Sequence, residues 1–190
     1  MGVGVLVGLS ICGYYSFLIY TEKIHPVFAT WFLFGVAVSL SFKTYWSTAK
    51  HSFVGNIGNT IDFFSTLIIL FSVVFLGKNT RFNFTIFEIW CLIACGVVLV
   101  FWKISKQHVI SNLCLQIVIT VAYFPTFETL WYAKENTEPF LGWTVSLLLS
   151  VVCVIIAIVR KDFLGIIYSS RGFVSISIML ILMLRIILRN

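Results

Sequence analysis

The sequence carries very little charge for its length of 190 residues. Only 11% of the residues are Asp, Glu, Lys or Arg, whereas 60% are hydrophobic and 17% are aromatic, and the mean hydropathy is +1.04. A water-soluble domain usually has about 25% charged residues, because its surface must face water. The scarcity of charge therefore argues against a soluble enzyme, a disordered chain and a nucleic-acid-binding domain. It indicates an integral membrane protein.

The sequence also lacks a basic stripe that could follow a nucleic-acid backbone. The formal net charge is +6, but the lysines and arginines stand singly or in twos between apolar runs. This distribution is typical of the flanks of membrane spans, where basic side chains meet anionic lipid headgroups. We therefore expect the lipid bilayer as a partner and no nucleic acid. The basic residues divide evenly between the two sets of alternate loops, so they favour neither orientation in the membrane.

The five cysteines form no disulfide or metal-binding pattern. All of them lie inside apolar runs, none belongs to a CxxC pair, and the three histidines lie apart from them. Small apolar side chains on membrane helices account for them. The chain also lacks HExxH, GxSxG and a glycine-rich phosphate loop. We therefore expect no disulfide, no metal, no cofactor and no enzymatic activity.

Seven apolar segments are long enough to cross a membrane, since about 20 apolar residues span ~30 Å of hydrocarbon. Short polar connections separate them, and the first has neither the basic start nor the cleavage pattern of a signal peptide. We predict an all-α, polytopic membrane protein in which residues 1–190 form a single transmembrane domain. The predicted spans are about 3–20, 27–45, 54–77, 83–102, 109–132, 140–159 and 163–185.

The last three spans repeat the first three at a distance of 112 residues. The residues that recur include Tyr20 and Tyr132, Phe28 and Phe140, and Trp31 and Trp143. A unit of three helices crosses the membrane an odd number of times, so the fourth span is needed to keep two copies parallel. The resulting 3+1+3 plan assigns repeat 1 to about 1–78, a linker helix to about 83–102 and repeat 2 to about 109–190.

Short stretches of the chain resemble the SWEET/PQ-loop superfamily of membrane transporters, which has this 3+1+3 plan. Residues 124–126 (FPT), 137–138 (TE) and Trp143 are similar to the second half of such proteins. Residues 25–31 (HPVFATW) are similar to the entry of span 2 in small bacterial members. The FPT stretch departs from the Pro-Gln that the superfamily favours. The resemblance implies a transporter that works by alternating access in the inner (plasma) membrane of a bacterium.

Span 3 opens with a polar stripe, and span 7 carries an arginine at a similar depth. Asn56, Asn59 and Asp62 are three residues apart, so on a helix they lie along one side. In SWEET-like transporters polar residues of spans 3 and 7 line the substrate site, which implies this stripe together with Ser170 and Arg171. Arg171 would favour a carboxylate or phosphate, whereas amide and hydroxyl groups would suit a sugar. Alternatively, Asp62 and Arg171 form a closed ion pair that only fastens the two halves together.

Span 5 contains a proline and a carboxylate near its end. Pro125 cannot donate a hydrogen bond to the carbonyl of Val121, so it predicts a kink or a break in the helix. Pro125 is therefore a candidate hinge, with a static kink as the alternative. Glu128 follows three residues later. It is interpreted either as a carboxylate that reaches the headgroup region or as a proton-coupling group.

Trp31 and Trp143 lie one turn into spans 2 and 6. For both residues, an aromatic anchor at the membrane interface is the first interpretation, and a stacking platform for a substrate is the second. An anchor faces lipid, whereas a platform faces the inside of the bundle. The two interpretations therefore differ in where the rings lie.

These features together predict a transporter that moves a small polar solute, anionic or sugar-like, by alternating access. The expected partners are that solute and the lipid bilayer, with a homo-oligomer as one form of the assembly. The competing interpretation is a membrane component that does not transport. It would be a sensor, a scaffold or an oligomeric pore subunit that works through a partner protein.

Overall fold

The computed structural model describes residues 2–24, 26, 28–48, 51–52, 54–77 and 84–189, the side chains of residues 2–5 excepted. Every regular element in these residues is a helix. In chain order they are α1 (Gly2–Tyr20), α2 (Phe28–Trp46), α3 (Ile57–Leu76), α4 (Ile86–Ser105), α5 (His108–Val121), α6 (Phe124–Tyr132), α7 (Phe140–Val159) and α8 (Phe163–Arg189). His25, at the start of the HPVFATW stretch, lies outside the described residues, as does the predicted connection between spans 3 and 4 at residues 78–81.

Each of the seven predicted spans corresponds to a helix, with the fifth divided into α5 and α6. Among the described residues, five segments are long and apolar enough to cross a membrane, namely α3, α4, α5 with α6, α7 and α8. Counted from Leu6, α1 is a shorter apolar helix. The prediction of an all-helical chain is confirmed, and these apolar helices fit an integral membrane protein.

Local sequence signals set several of the helix ends. Asn56 caps α3, because its Oδ1 accepts a hydrogen bond from the Asn59 N–H at 3.3 Å. A capping box starts α4, in which Thr85 Oγ1 accepts from the Glu88 N–H and Glu88 Oε2 accepts from the Thr85 N–H. Helix α5 ends at Val121 and α6 begins at Phe124. The predicted break is therefore present just before Pro125, where the missing proline N–H interrupts the helix.

The predicted repeats assign α1, α2 and α3 to a first set of helices and α5, α6, α7 and α8 to a second set, with α4 beside both. In the first set, α3 contacts both α1 and α2, and in the second set, α8 contacts α5, α6 and α7. The sets meet where α1 contacts α7, where α2 contacts α5, and where α3 contacts α8 and α7. Helix α4 packs against α2 and α5. The middle helices of the two sets, α3 and α8, therefore lie against each other inside the bundle.

The distribution of polarity is the reverse of that in a soluble protein. Large apolar side chains such as Phe75, Trp90 and Leu148 are exposed on the outside of the bundle, whereas Asn59 and Asn112 are fully buried inside it. Hydrocarbon tails are a favourable solvent for such an outer surface, and they force polar side chains to find partners within the protein. The polar groups of the chain are thus concentrated where the two sets of helices meet.

Candidate functional site

A cavity of about 120 Å³ lies between the two sets of helices. Its wall is formed by α1, α2, α3, α5, α7 and α8, together with Tyr123 from the break between α5 and α6. Most of the wall is apolar or aromatic, and the two charged side chains on it are Asp62 and Arg171. Because both sets contribute to the wall, any movement of one set against the other changes the shape of the cavity.

Asp62 on α3 and Arg171 on α8 form a loose ion pair across the two sets. Arg171 Nη2 lies 4.0 Å from Asp62 Oδ2, and Arg171 Nε donates a hydrogen bond to Gln116 Oε1 at 3.1 Å. The Asp62 side chain is 48% accessible, whereas the Arg171 side chain is 7% accessible. Arg171 Nη1 is buried and has no hydrogen-bond partner among the described residues. Both groups therefore retain hydrogen-bonding capacity, unlike the members of a closed bidentate pair.

Tyr168 orients both charged groups. Its hydroxyl donates a hydrogen bond to Asp62 Oδ2 at 2.9 Å, and its ring centroid lies 4.7 Å from the Arg171 guanidinium carbon. Tyr168 and Arg171 are three residues apart on α8, which brings them to neighbouring positions on one side of the helix. A cation over a buried aromatic ring is attracted by the face of that ring. The tyrosine thus holds the arginine on α8 and the aspartate on α3 in one geometry.

A buried hydrogen-bond network behind the cavity holds Arg171 from the other side. At its centre, Ser41 Oγ on α2 accepts hydrogen bonds from Asn59 Nδ2 at 3.2 Å and from Gln116 Nε2 at 3.0 Å. The Ser41 carbonyl accepts a further bond from Asn112 Nδ2 at 2.9 Å. Gln116 in turn accepts the bond from Arg171 Nε. The network therefore joins α2, α3, α5 and α8, and fixes the arginine that faces the cavity.

Two of the five residues predicted to bind substrate lie on the cavity wall, and three do not. Asp62 and Arg171 line the cavity. Three others do not reach its wall: Asn56, Asn59 and Ser170. On a helix, a step of three residues turns the side chain by about 300°, so the stripe drifts by roughly 120° between its first and last members. Because of this drift, Asn56 caps α3 and Asn59 joins the Ser41 network, whereas Asp62 faces the cavity.

Ser169, which is not among the predicted site residues, lines the cavity. Ser169, the neighbour of Ser170 on α8, lies on the wall, and its buried Oγ has no hydrogen-bond partner among the described residues. A Cβ atom at Gly58 would lie 2.9 Å from this Oγ, so α3 approaches α8 closely at this level. The hydroxyl is therefore a further group that faces the interface of the two sets.

Both tryptophans lie against the cavity. Trp31 is only 7% exposed, and its ring packs edge to face against Tyr15 at a centroid distance of 5.3 Å. Trp143 packs edge to face against Tyr123 at 6.4 Å. An anchor at the membrane interface would require rings on the outside of the bundle. Both rings therefore lie on the cavity wall, and the choice between an anchor and a surface for stacking stays a prediction.

Glu138 lies at the aromatic end of the cavity, in the connection before α7. Its Oε2 accepts hydrogen bonds from the Tyr15 hydroxyl and from Trp143 Nε1, the latter at 3.2 Å. Glu138 is 7% exposed. Burial raises the pKa of Glu138 to about 7, and the two hydrogen bonds act in the opposite direction. We refer to Glu138, Tyr15 and Trp143 as the Glu138 cluster.

A second contact between a tyrosine and a carboxylate lies at the other end of α7. The Tyr45 hydroxyl on α2 donates a hydrogen bond to Asp162 Oδ2 at 2.5 Å, and Asp162 Oδ1 accepts from the Gly165 N–H at 2.8 Å. Helix α7 has 20 residues, so its two ends are about 30 Å apart. A Cβ atom at Gly165 would lie 2.6 Å from the Gly55 carbonyl oxygen, so only glycine permits this approach. The two sets of helices thus touch at both ends of α7.

The break between α5 and α6 places an aromatic side chain on the cavity wall. Tyr123 lies in the break and packs edge to face against Phe34 at 4.6 Å. Pro125 is the second residue of α6, and its role as a hinge stays a prediction. Glu128 is exposed on α6 and is not on the cavity wall. Both interpretations of Glu128, as a carboxylate that reaches the headgroup region and as a proton-coupling group, stay predictions.

Within the part of the chain that the structure describes, no group of three or more His, Cys, Asp or Glu side chains could hold a metal ion. The five cysteines are free. Two of them, Cys12 and Cys153, lie on the cavity wall. The polar groups on the cavity wall include a carboxylate, a guanidinium and hydroxyl groups, and they lie beside aromatic rings.

No protein-family model matches this chain, and no curated protein or solved structure matches it. The resemblance to SWEET/PQ-loop transporters thus stays an expectation from the sequence. Function has to be argued from the geometry of the cavity and of the groups on its wall.

Proposed function

We propose that the protein is a membrane transporter that moves a small polar solute by alternating access. The proposal rests on the cavity between the two sets of helices, with Asp62 from one set and Arg171 from the other on its wall. Charged groups at membrane depth are costly, and they usually mark a pathway for a substrate or an ion. The 4.0 Å separation of the pair and the unpartnered Arg171 Nη1 favour a binding site over a closed structural pair.

The proposed movement is a rocking of two parallel three-helix units, joined by α4 as a linker. The contacts between helices support this plan. We compare the two units by exchanging α1 with α5–α6, α2 with α7, and α3 with α8. The exchange maps the α1–α7 contact onto the α2–α5 contact and the α3–α8 contact onto itself, whereas the α3–α7 contact has no counterpart of similar extent between α2 and α8. Two copies of one unit would produce such a pattern, as the 112-residue repeat leads us to expect. Following the sequence resemblance, the membrane we propose is the plasma membrane of a bacterium.

The wall suits a small solute that has a hydrogen-bonding head and a flat face. The cavity volume of about 120 Å³ suits a small solute. The Arg171 fork suits a carboxylate or phosphate, and Asp62 accepts hydrogen bonds from hydroxyl or ammonium groups. Trp31 and Trp143 provide the faces for stacking. Small organic acids and sugar-like molecules meet these conditions.

A ligand screen followed by an uptake assay tests the proposal. Purified protein is heated in the presence of sugars, amino acids, carboxylates, nucleosides and vitamins. A ligand at a hundred times its dissociation constant adds about 2.7 kcal/mol to the folded state. Compounds that raise the melting temperature are then measured for uptake into vesicles that contain the protein.

Two arginine variants make the test specific. Arg171→Ala should abolish both the thermal shift and the uptake. Arg171→Lys should weaken both, because lysine keeps the positive charge but cannot donate two parallel hydrogen bonds to a carboxylate or phosphate. Arg160→Ala, at an exposed position after α7, is the matched control and should preserve both. A screen without any hit, or a hit that folded Arg171→Ala protein retains, would overturn the proposal and favour a membrane component that works through a partner.

A further inference from the structure

The Glu138 cluster connects the two sets of helices. Tyr15 belongs to α1 in the first set, Trp143 belongs to α7 in the second set, and both donate to the same oxygen of Glu138. Both rings also lie on the cavity wall. Separation of α1 from α7 at this end therefore has to break at least one of the two hydrogen bonds, and it opens the cavity beside them.

Among the described residues, no cation contacts the carboxylate of this cluster. Its polar contacts in the described residues are the Tyr15 hydroxyl and Trp143 Nε1, which are both neutral. A buried carboxylate without a positive partner is unstable in its charged form, since it loses hydration that two neutral donors only partly replace. The cluster is therefore a position where binding a proton changes the energy of the closed interface.

We propose that Glu138 is the proton-binding group of the transporter, which holds α1 against α7 when it is protonated and releases them when it is not. This inference rests on the proposed function, because it links the proton to the opening of the cavity. When the cluster opens, water reaches the carboxylate and hydrates its charge. The closed cluster thus binds a proton more tightly than the open one, so proton loss favours opening.

In the part of the chain that the structure describes, few other titratable groups surround Glu138. Tyr15 is the one on α1 that contacts it, and α7 presents Trp143, which does not titrate. Charged residues of the neighbouring connections are exposed: Glu22, Lys23, Lys134 and Glu135. In the cavity the charged groups are Asp62 and Arg171, and His25 lies outside the described residues. Burial raises the pKa of Glu138 to about 7, so the exchange of this proton falls near neutral pH.

The reactivity of Cys12 reports whether this end of the cavity is open. Cys12 lies on α1, one turn before Tyr15, on the cavity wall, and it is 2% exposed. In a chain whose other four cysteines are replaced by alanine, a charged, membrane-impermeant maleimide reaches this thiol only when the bundle opens. The measurement is the labelling rate of the purified full-length chain at about pH 6, 7 and 8. Thiol ionisation also accelerates labelling as the pH rises, so each rate is divided by that of the same chain with Glu138→Gln.

The ratio of the two labelling rates should rise about tenfold between pH 6 and pH 8. Over this interval Glu138 loses its proton in the closed cluster, whereas in the open, hydrated cluster it has already lost it at pH 6. Glutamine keeps an acceptor for both donors but cannot ionise, so the Glu138→Gln chain stays closed. Glu135→Gln, in the same connection and exposed, is the matched control and should behave as the parent. Tyr15→Phe should speed labelling at every pH, and Tyr14→Phe, whose ring faces outward, should not.

A ratio that does not change with pH, in chains whose melting temperatures show that they are folded, would overturn the proton role of Glu138. Labelling needs no solute, so this failure is distinct from that of the transport proposal. The screen and the uptake assay test transport on their own. A second outcome is a labelling ratio that depends on pH together with no uptake of any compound in the panel. That outcome would support the proton-binding role of Glu138 and overturn the transport proposal on which its coupling role rests.

Discussion

The Tyr45 hydroxyl on α2 lies 2.5 Å from the carboxylate of Asp162, which precedes α8. The same hydroxyl accepts a hydrogen bond from the Ser52 N–H at 3.0 Å, so it also secures the connection between α2 and α3. At the other end of α7, Tyr15 and Glu138 make the equivalent contact. A bond between a tyrosine and a carboxylate thus joins the two sets of helices at each end. In the proposed mechanism, entry from either side breaks one of these two bonds.

Tyr45→Phe should destabilise the protein without altering the shape of its core. The change removes one hydroxyl and leaves Asp162 and the Ser52 N–H without that partner. We expect the free energy of unfolding to fall by about 1.5–3 kcal/mol, the range for a hydrogen bond to a charged group. Thermal unfolding of the purified protein measures the loss. Tyr14→Phe, at an exposed position on α1, should change it by less than about 0.5 kcal/mol. Equal stability of the two variants would contradict the role of the Tyr45 hydroxyl.

Asn112→Ala should weaken the network that holds Arg171. Asn112 Nδ2 donates to the Ser41 carbonyl at 2.9 Å and to Thr44 Oγ1 at 3.1 Å, and its Oδ1 accepts from Gln116 Nε2 at 3.2 Å. Alanine leaves these buried groups unsatisfied, at a cost of about 1–3 kcal/mol in the free energy of unfolding. Gln107→Ala is the control, because Gln107 is exposed and makes no side-chain capping bond at the start of α5. A denaturant titration that gives the same midpoint for both variants would refute the prediction.

The helices and the central charges could be predicted from the sequence. Length and hydropathy mark the apolar helices, and the cost of burying a charge in a membrane marks Asp62 and Arg171. Asp62 and Arg171 were found in this way. The sequence could not predict that Asp62 lines the cavity whereas Asn56 and Asn59 do not. This difference depends on which side of α3 packs against α2 and which side faces the cavity. Packing between helices determines the orientation of α3, and the spacing of residues along one helix cannot predict that packing.

Glu138 shows a different limit of the sequence. In the chain it stands in a polar connection before Pro139, where a carboxylate normally faces water. Its partners are Trp143, five residues away, and Tyr15, 123 residues away. The contact with Tyr15 exists only because α1 packs against α7, and no local pattern encodes that. Glu128 lies within a predicted span and is a candidate coupling residue for that reason. In the structure Glu128 is exposed, whereas Glu138 is buried.

A double-mutant cycle on Asp62 and Arg171 distinguishes a solute site from a structural pair. The two groups are 4.0 Å apart, and Asp62 is 48% accessible. The interaction between them should therefore be small, and we expect a coupling of less than about 1 kcal/mol between Asp62→Asn and Arg171→Gln in thermal unfolding. Ligand binding should be lost in both single variants and should stay lost in the double variant. A double variant that recovers the stability lost in the single ones would identify a closed pair that fastens the two halves.

The stability of the protein should depend on pH through Glu138, with a sign opposite to that of a salt-bridged carboxylate. Burial raises the pKa of Glu138 from 4.5 to about 7 in the folded protein. Between these values the folded chain holds a proton that the unfolded chain releases, so the free energy of unfolding falls as the pH rises. The contribution is fully present below about pH 4.5 and is lost as the pH rises through about 7, a change of roughly 3 kcal/mol. Melting temperatures measured from about pH 5 to pH 8 should therefore fall more steeply in the parent and in Glu135→Gln than in Glu138→Gln. Parallel curves for all three proteins would mean that Glu138 is hydrated in the folded state and that its carboxylate stays charged there.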